Sequence, residues 1–206
     1  MAKGLQACRL HGGLCALRRD ECTRGLVTSV TLILAPGTGV SFAVAGMTSV
    51  RGRSHTFDAR ADGYARGEAC GAMTLRACGA SSTLRVLGSA VRQDGRSASL
   101  TAPNGSAQQS LITAALHDAA TSANALLQNE AHGTGTPLGD PIEMNARAAV
   151  MDEDRLETHP LIMGGVKANL GHLEAGACAA GLIKAVMVLQ HETATPNSEL
   201  KSLNPK

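Results

Sequence analysis

The sequence predicts an α/β protein, and three observations carry that prediction. From residue 84 onward, apolar runs of strand length alternate with helix-period stretches. The apolar content is 44% while aromatic residues make up 1%, so side chains of aliphatic size must fill any interior. Glycine occurs 23 times, which lets backbones of neighbouring layers approach closely.

Taken in order, residues 5–19 read as a helix, and GLVTSVTLIL (25–34) as a buried strand ended by Pro36 and Gly37. A glycine-rich, charged stretch then returns through a strand near Gly71 to Leu75. LRVLGSAV (84–91) reads as a strand, SAQQSLITAALHDAA (106–120) as a helix and NALLQNEA (124–131) as a strand. DPIEMNARAAV (140–150) reads as a helix, with Asp140 as its N-cap and Pro141 as its first residue. PLIMGGVKA (160–168) reads as a strand and LEAGACAAGLIKAVMVLQ (173–190) as a helix. This alternation implies crossover connections and a sheet covered by helices.

Charge and composition exclude several functions. With 19 basic against 17 acidic residues the formal charge is +2, too small to draw in nucleic acid or an anionic membrane. Phe42, Phe57 and Tyr64 are too few aromatics for a base-stacking platform. The longest apolar runs fall short of a membrane span. The first nineteen residues carry Lys3, Arg9, Arg18 and Arg19 without an acid, as organelle transit peptides do, but lack serine, so a basic-faced helix is the expectation. Cys8, Cys15 and Cys22 repeat at seven-residue spacing, Cys70 and Cys78 lie eight apart, and Cys178 stands alone. None has CxxC spacing, so no metal site is expected, and a reducing compartment, the cytoplasm, follows, with a plastid or other organelle as the alternative.

In α/β sheets, functional groups gather where strands hand over to helices. His132 follows the strand ending at Ala131, and His172 follows the strand ending near Lys167. Two neutral imidazoles converging there can donate to one developing oxyanion, with Lys167 supplying charge or orientation. His11, His55, His117, His159 and His191 are read as polar surface residues, and Lys184 and Glu174 as solvated or cap-related helix residues. GTGTPLG lacks the lysine and hydroxyl residue of a phosphate loop.

EAHGTGTPLGDPIE, GGVKANLGHLEAGACAAGLIKAV, AGMTSVRGRSHTFDARADGYARGEACG and QDGRSASLTAPNG resemble the β-ketoacyl synthase family, above all the ketosynthase domains of polyketide synthases. The resemblance implies a thiolase-like fold layered α/β/α/β/α, here incomplete. Residues 1–82 would be the remainder of the N-terminal ketosynthase half and 83–206 a C-terminal half cut short at its end. It implies decarboxylative Claisen condensation of acyl and malonyl thioesters, with a homodimer as the assembly. The partner would be an acyl carrier protein whose phosphopantetheine arm delivers the substrates, with no other cofactor. By the same resemblance, His132 and His172 would hold the enolate oxygen, Lys167 would support the second histidine and the charge balance, and Thr134 and Thr136 would bind substrate.

The family's nucleophile is a cysteine at a helix start, where the helix N-terminus favours the thiolate. CALRRDECTRGLVTSVTLIL resembles the segment after that helix, and counting back without gaps lands near Lys3. Cys8, the nearest thiol, would lie inside the helix, so the role is not assigned to it. The nucleophile is expected in sequence that is missing or replaced. Two further departures are a short ACGASSTLRV segment and Gln128 and Asn129 at an expected apolar strand end. The rival reading is a catalytically silent ketosynthase-like partner, or a malonyl decarboxylase without the nucleophile.

Overall fold

The computed structural model describes residues 3–77, 84–97, 102–152, 155–156 and 158–205. The expected division at 82 and 83, and most of the short ACGASSTLRV segment, lie outside these residues. Helix α1 (Lys3–Arg18) packs on strand β1 (Arg24–Thr31), which pairs antiparallel with β2 (Ala69–Arg76). Inward positions of the pair are small or slender, with Val27 opposite Met73 and Ser29 opposite Gly71. The outward positions include Leu26 and Val30, which are exposed. The connection between these strands contains α2 (Pro36–Val44).

The second unit is a parallel pair. Asn104 caps α3 (Gly105–Asp118) by accepting from the Ala107 N–H. This helix packs on α4 (Gly139–Met151), which carries the chain from β3 (Gln128–Glu130) to β4 (Ile162–Gly164). A short helix α5 (Lys167–Leu170) and a 3-10 turn (Glu174–Gly176) lead into α6 (Ala177–His191). Helix α6 lies between the sheets and touches both β2 and β3. Ala179 meets the Gly71 position and Gly181 meets the Glu130 side chain. Residues two apart sit about 200° apart around a helix, so these two small residues mark its two sheet-facing sides.

Several elements differ from expectation for physical reasons. Residues 84–91 form no strand: Gly88 packs against α3, where an added Cβ would lie 2.5 Å from Ala119 N, and the Ser89 N–H donates to Asp118 Oδ2. Their backbone is engaged by a helix end, not a ladder. Pro36 opens a helix instead of simply stopping a strand, as fits the first helical position. Helix α4 starts two residues early, with Leu138 at its N-cap and Gly139 as its first residue, so Asp140 lies inside the first turn and Pro141 follows it. The last long helix is split by the 3-10 turn, and β3 and β4 are shorter than predicted because each pairs only along its facing residues. No described helix is long and apolar enough to cross a membrane.

The deepest burial is also unlike the expected aliphatic core. Thr56, Asp58, Asp140 and Ser54 are the largest side chains with almost no exposure. They sit where loops meet, and loops need side-chain acceptors for their buried amides. Asp58 receives the Lys201 and Ser202 N–H groups and an Arg60 ion pair, which ties the C-terminal segment onto residues 57–60. Together these hold the Asp58 carboxyl far below the usual carboxylate range, led by the Arg60 bond.

Candidate functional site

The site is built from two loops, each leaving a parallel strand. The first, residues 131–138, leaves β3 and enters α4. The amides of His132 and Gly133 donate to Glu143 Oε1 and Oε2 at 2.7 and 2.8 Å. Glu143 sits on α4 and is paired with Arg147 at 3.0 Å, so one buried carboxylate grips the start of the loop. Asp140 holds its middle by accepting from the Gly135 N–H at 3.0 Å and from the Phe57 N–H at 2.9 Å. Burial pushes the Asp140 carboxyl above the usual range, partly offset by these amide bonds. The Arg147 guanidinium also bonds the Asn129 side chain, which gives the polar strand end its partner.

Glycine is required at two points of this loop. Gly133 has φ +44 and an added Cβ would fall 2.5 Å from Thr56 Cγ2. Gly135 has φ +76 with His55 N only 2.8 Å from its Cβ position. Thr56 also donates to Gly133 O at 2.7 Å. The same methyl lies 2.7 Å from the Cβ position of Gly165 in the second loop, so Thr56 is wedged between the two.

The second loop, residues 165–173, leaves β4. The Gly165 N–H donates to Asn197 Oδ1 at 2.9 Å, and the Val166 N–H donates to Glu130 Oε1. Glu130 is paired with Lys184 at 2.9 Å, with side-chain exposures of 10% and 13%. Lys184 is therefore an interior partner of β3, not the solvated residue expected. His172 is bound to the 64–67 segment on both sides: its N–H donates to Ala65 O at 2.6 Å and its carbonyl accepts from Gly67 at 3.0 Å. The Tyr64 ring lies against it, with centroids 4.7 Å apart.

The two expected histidines come together. The rings of His132 and His172 have centroids 5.9 Å apart and stand edge to face at 86°. His172 is buried and His132 exposed, so the pair opens to solvent on one side. The Glu174 N–H donates to His172 Nδ1 at 2.9 Å. That nitrogen is thus the acceptor, and the proton of the neutral ring resides on Nε2. Lys167, 3% exposed, donates to the His132 carbonyl, and its Nζ lies 3.5 Å from His132 Nδ1. The sequence set Lys167 beside the second histidine; its bonds to the first one link the two loops. Thr134 Oγ1 and Thr136 Oγ1 lie 3.1 Å apart, and Thr136 accepts from the Gly139 N–H at the start of α4.

Other expectations are corrected. His55 is 3% exposed and not a surface residue; it is enclosed beneath the first loop, with Nε2 3.9 Å from Glu199. Glu174 opens the 3-10 turn, and its carboxylate is tied to Arg66 by a 2.8 Å ion pair and is not left to solvent. The seven-residue spacing of Cys8, Cys15 and Cys22 would place all three on one helical face, but Cys22 lies beyond the end of α1. Lys3, reached by counting back to the nucleophile, is the first described residue of α1. Glu143, Asp140, Glu130 and Thr56 were not singled out as functional from sequence; an acid spaced one helical turn after a glycine-rich loop was the available signal.

Comparison with known proteins agrees with this architecture. The chain is 41% identical over 202 residues to a phenolphthiocerol/phthiocerol polyketide synthase of Mycobacterium tuberculosis, covering 95% of this chain and 11% of that protein. It is 41% identical over 213 residues to highly reducing polyketide synthase 40 of Fusarium mangiferae, covering 100% of this chain and 8% of the relative. The chain thus spans about a tenth of the length of these relatives. Among solved structures it matches the ketosynthase from module 6 of the bacillaene synthase of Bacillus subtilis 168 with a TM-score of 0.89 at 30% identity. That match covers 97% of this chain and 37% of the solved one. The fold is therefore the layered thiolase-like fold of ketosynthase domains, present in part. The model of the β-ketoacyl synthase N-terminal domain matches residues 7–78 and that of the C-terminal domain matches residues 84–201, and the chain belongs to the β-ketoacyl synthase family.

Proposed function

We propose that these residues form the enolate-holding part of a β-ketoacyl synthase of polyketide type. The reaction is decarboxylative Claisen condensation of acyl and malonyl thioesters borne on an acyl carrier protein. The observation that carries this reading is the edge-to-face pair of His132 and His172 at 5.9 Å, with the His172 tautomer set by a backbone amide. When a malonyl thioester loses carbon dioxide, its electrons move onto the thioester oxygen. Donors fixed in advance stabilise that charge without reorganising at the moment of reaction. His172 Nε2–H is one such donor. Lys167 Nζ, directed at His132 Nδ1, favours the matching Nε2–H form of the second. The enolate carbon then attacks the carbonyl carbon of the acyl thioester, and the acyl C–S bond breaks to release the thiol that carried the acyl group.

Thr134 and Thr136 are proposed to meet the pantetheine arm. Each hydroxyl has one donor and two acceptor positions, so their mutual bond leaves capacity for the arm's amides. The arm comes with the carrier protein, and no further cofactor is invoked. A homodimer and a cytoplasmic setting complete the proposal. With Lys3, not a cysteine, where the count-back places the nucleophile, the 206-residue chain alone is expected not to condense, and the malonyl assay reads the histidine pair by itself.

The test is incubation with carbon-14 malonyl thioester and, separately, with labelled acyl thioester on carrier protein. Release of carbon dioxide should be abolished in His132→Ala and His172→Ala, and no acyl label should remain on the chain. Release that persists in both variants refutes the donor pair; stable label on Cys8 refutes the expectation that this chain lacks a working nucleophile.

A further inference from the structure

His172 sits in a turn that would not hold its shape unaided. Glu174 has φ +47, a left-handed conformation that non-glycine residues rarely adopt, and its N–H, in the peptide plane that follows Leu173, donates to the imidazole two residues earlier. Strain of this kind persists only where surrounding structure enforces it. The Glu174 carboxylate is bound by Arg66 Nε at 2.8 Å, with side-chain exposures of 24% and 12%. The Arg66 guanidinium in turn rests over the Phe42 ring at 5.2 Å. Arg66 also pairs by backbone with His172 itself, so its side chain starts from a position already fixed beside the ring. Strand, turn and imidazole are closed into one cycle.

We propose that Arg66 is a positioning residue for His172, acting through Glu174 to hold the ring in its Nε2–H form. This rests on the donor role given to His172 above. Without the ion pair, nothing holds Glu174 in its left-handed conformation, and as the turn relaxes the 173–174 peptide shifts and its N–H leaves Nδ1. The neutral ring then samples both tautomers, and the fraction able to donate from Nε2 falls.

The tautomer can be read directly. Nitrogen-15 shifts of the His172 ring distinguish a pyridine-type from a pyrrole-type nitrogen in the 206-residue chain at a pH where the ring is neutral. The wild type should show a pyridine-type Nδ1 and a pyrrole-type Nε2. In Arg66→Ala and Glu174→Ala both shifts should move toward averaged values. The double variant should move no further than either single one, because the two side chains act as one unit. Thermal unfolding of each variant confirms that the spectra come from folded protein, and Glu174→Gln carries the same readout should Arg66→Ala fail to fold. Unchanged ring shifts in folded variants, or additive effects in the double variant, overturn the proposal. Failure of the malonyl assay would leave these shifts in place, so the two readings fail separately.

Discussion

Gly133→Ala tests whether the first loop is held as tightly as its geometry requires. At φ +44 the new residue would adopt a left-handed backbone, at about 1–2 kcal/mol. Its Cβ would fall 2.5 Å from Thr56 Cγ2, a distance real carbons do not keep, and overpacking of this kind adds about 1–3 kcal/mol. The methyl cannot swing aside freely, because Thr56 has no exposed surface, its hydroxyl is bonded to Gly133 O, and Gly165 lies on its other side. The sum is about 2–5 kcal/mol, a large share of the about 5–15 kcal/mol that keeps a domain folded. Urea unfolding measures it. Thr56→Ser separates the two parts, since it removes the methyl and keeps the hydroxyl. In that background Gly133→Ala should cost only the backbone share. A loss under about 0.5 kcal/mol in the single variant, typical of unconstrained surface changes, would sink the argument. So would a loss unaltered by Thr56→Ser.

Glu143→Ala should destabilise the chain by about 3–5 kcal/mol in the same assay, because it leaves Arg147 buried without its ion pair and strips the His132 and Gly133 amides of their acceptor. Asp58 has a folded-state pKa below its unfolded value of about 3.9, so it stabilises the fold above that pH and the contribution is lost as pH falls below it. Asp58→Asn should therefore flatten the acid limb of the stability curve below about pH 4, where the wild type declines steeply; parallel limbs would show that another group governs it.

What the sequence made legible was what chain-local patterns encode. Helices α3 and α4 follow from apolar periodicity over a dozen residues, and β2 from its position as a returning strand. His132 and His172 were legible because each stands in a distinctive run just past a strand. Residues 84–91 have the apolar makeup of a strand, yet strand identity depends on a neighbour, and their neighbour is the end of α3. Helix α2 was hidden because Pro36 and Gly37 serve both to end strands and to open helices. The acids that clamp the loops were the least visible. Asp140 has the right chemistry for an N-cap, but it turns inward as an acceptor for Gly135 in its own loop and for Phe57, which is remote in sequence. Likewise nothing in residues 64–67 alone announces that Arg66 will meet Glu174.

Helix α6 has a consequence for how this sequence can drift. At Ala179 and Gly181 it has room for about one methyl against each neighbour, 3.6 Å to a Cβ at Gly71 and 3.4 Å from a Cβ at Gly181 to Glu130, so it behaves as a party wall shared by two rooms. Enlarging a side chain on the β2 side by more than a methyl presses the wall toward Glu130, whose carboxylate anchors the Val166 amide next to Lys167. Substitutions that look remote, in the strands of the first half, are thereby coupled to the spacing of the histidines in the second, and tolerated changes on one side should be matched by compensating ones across the helix.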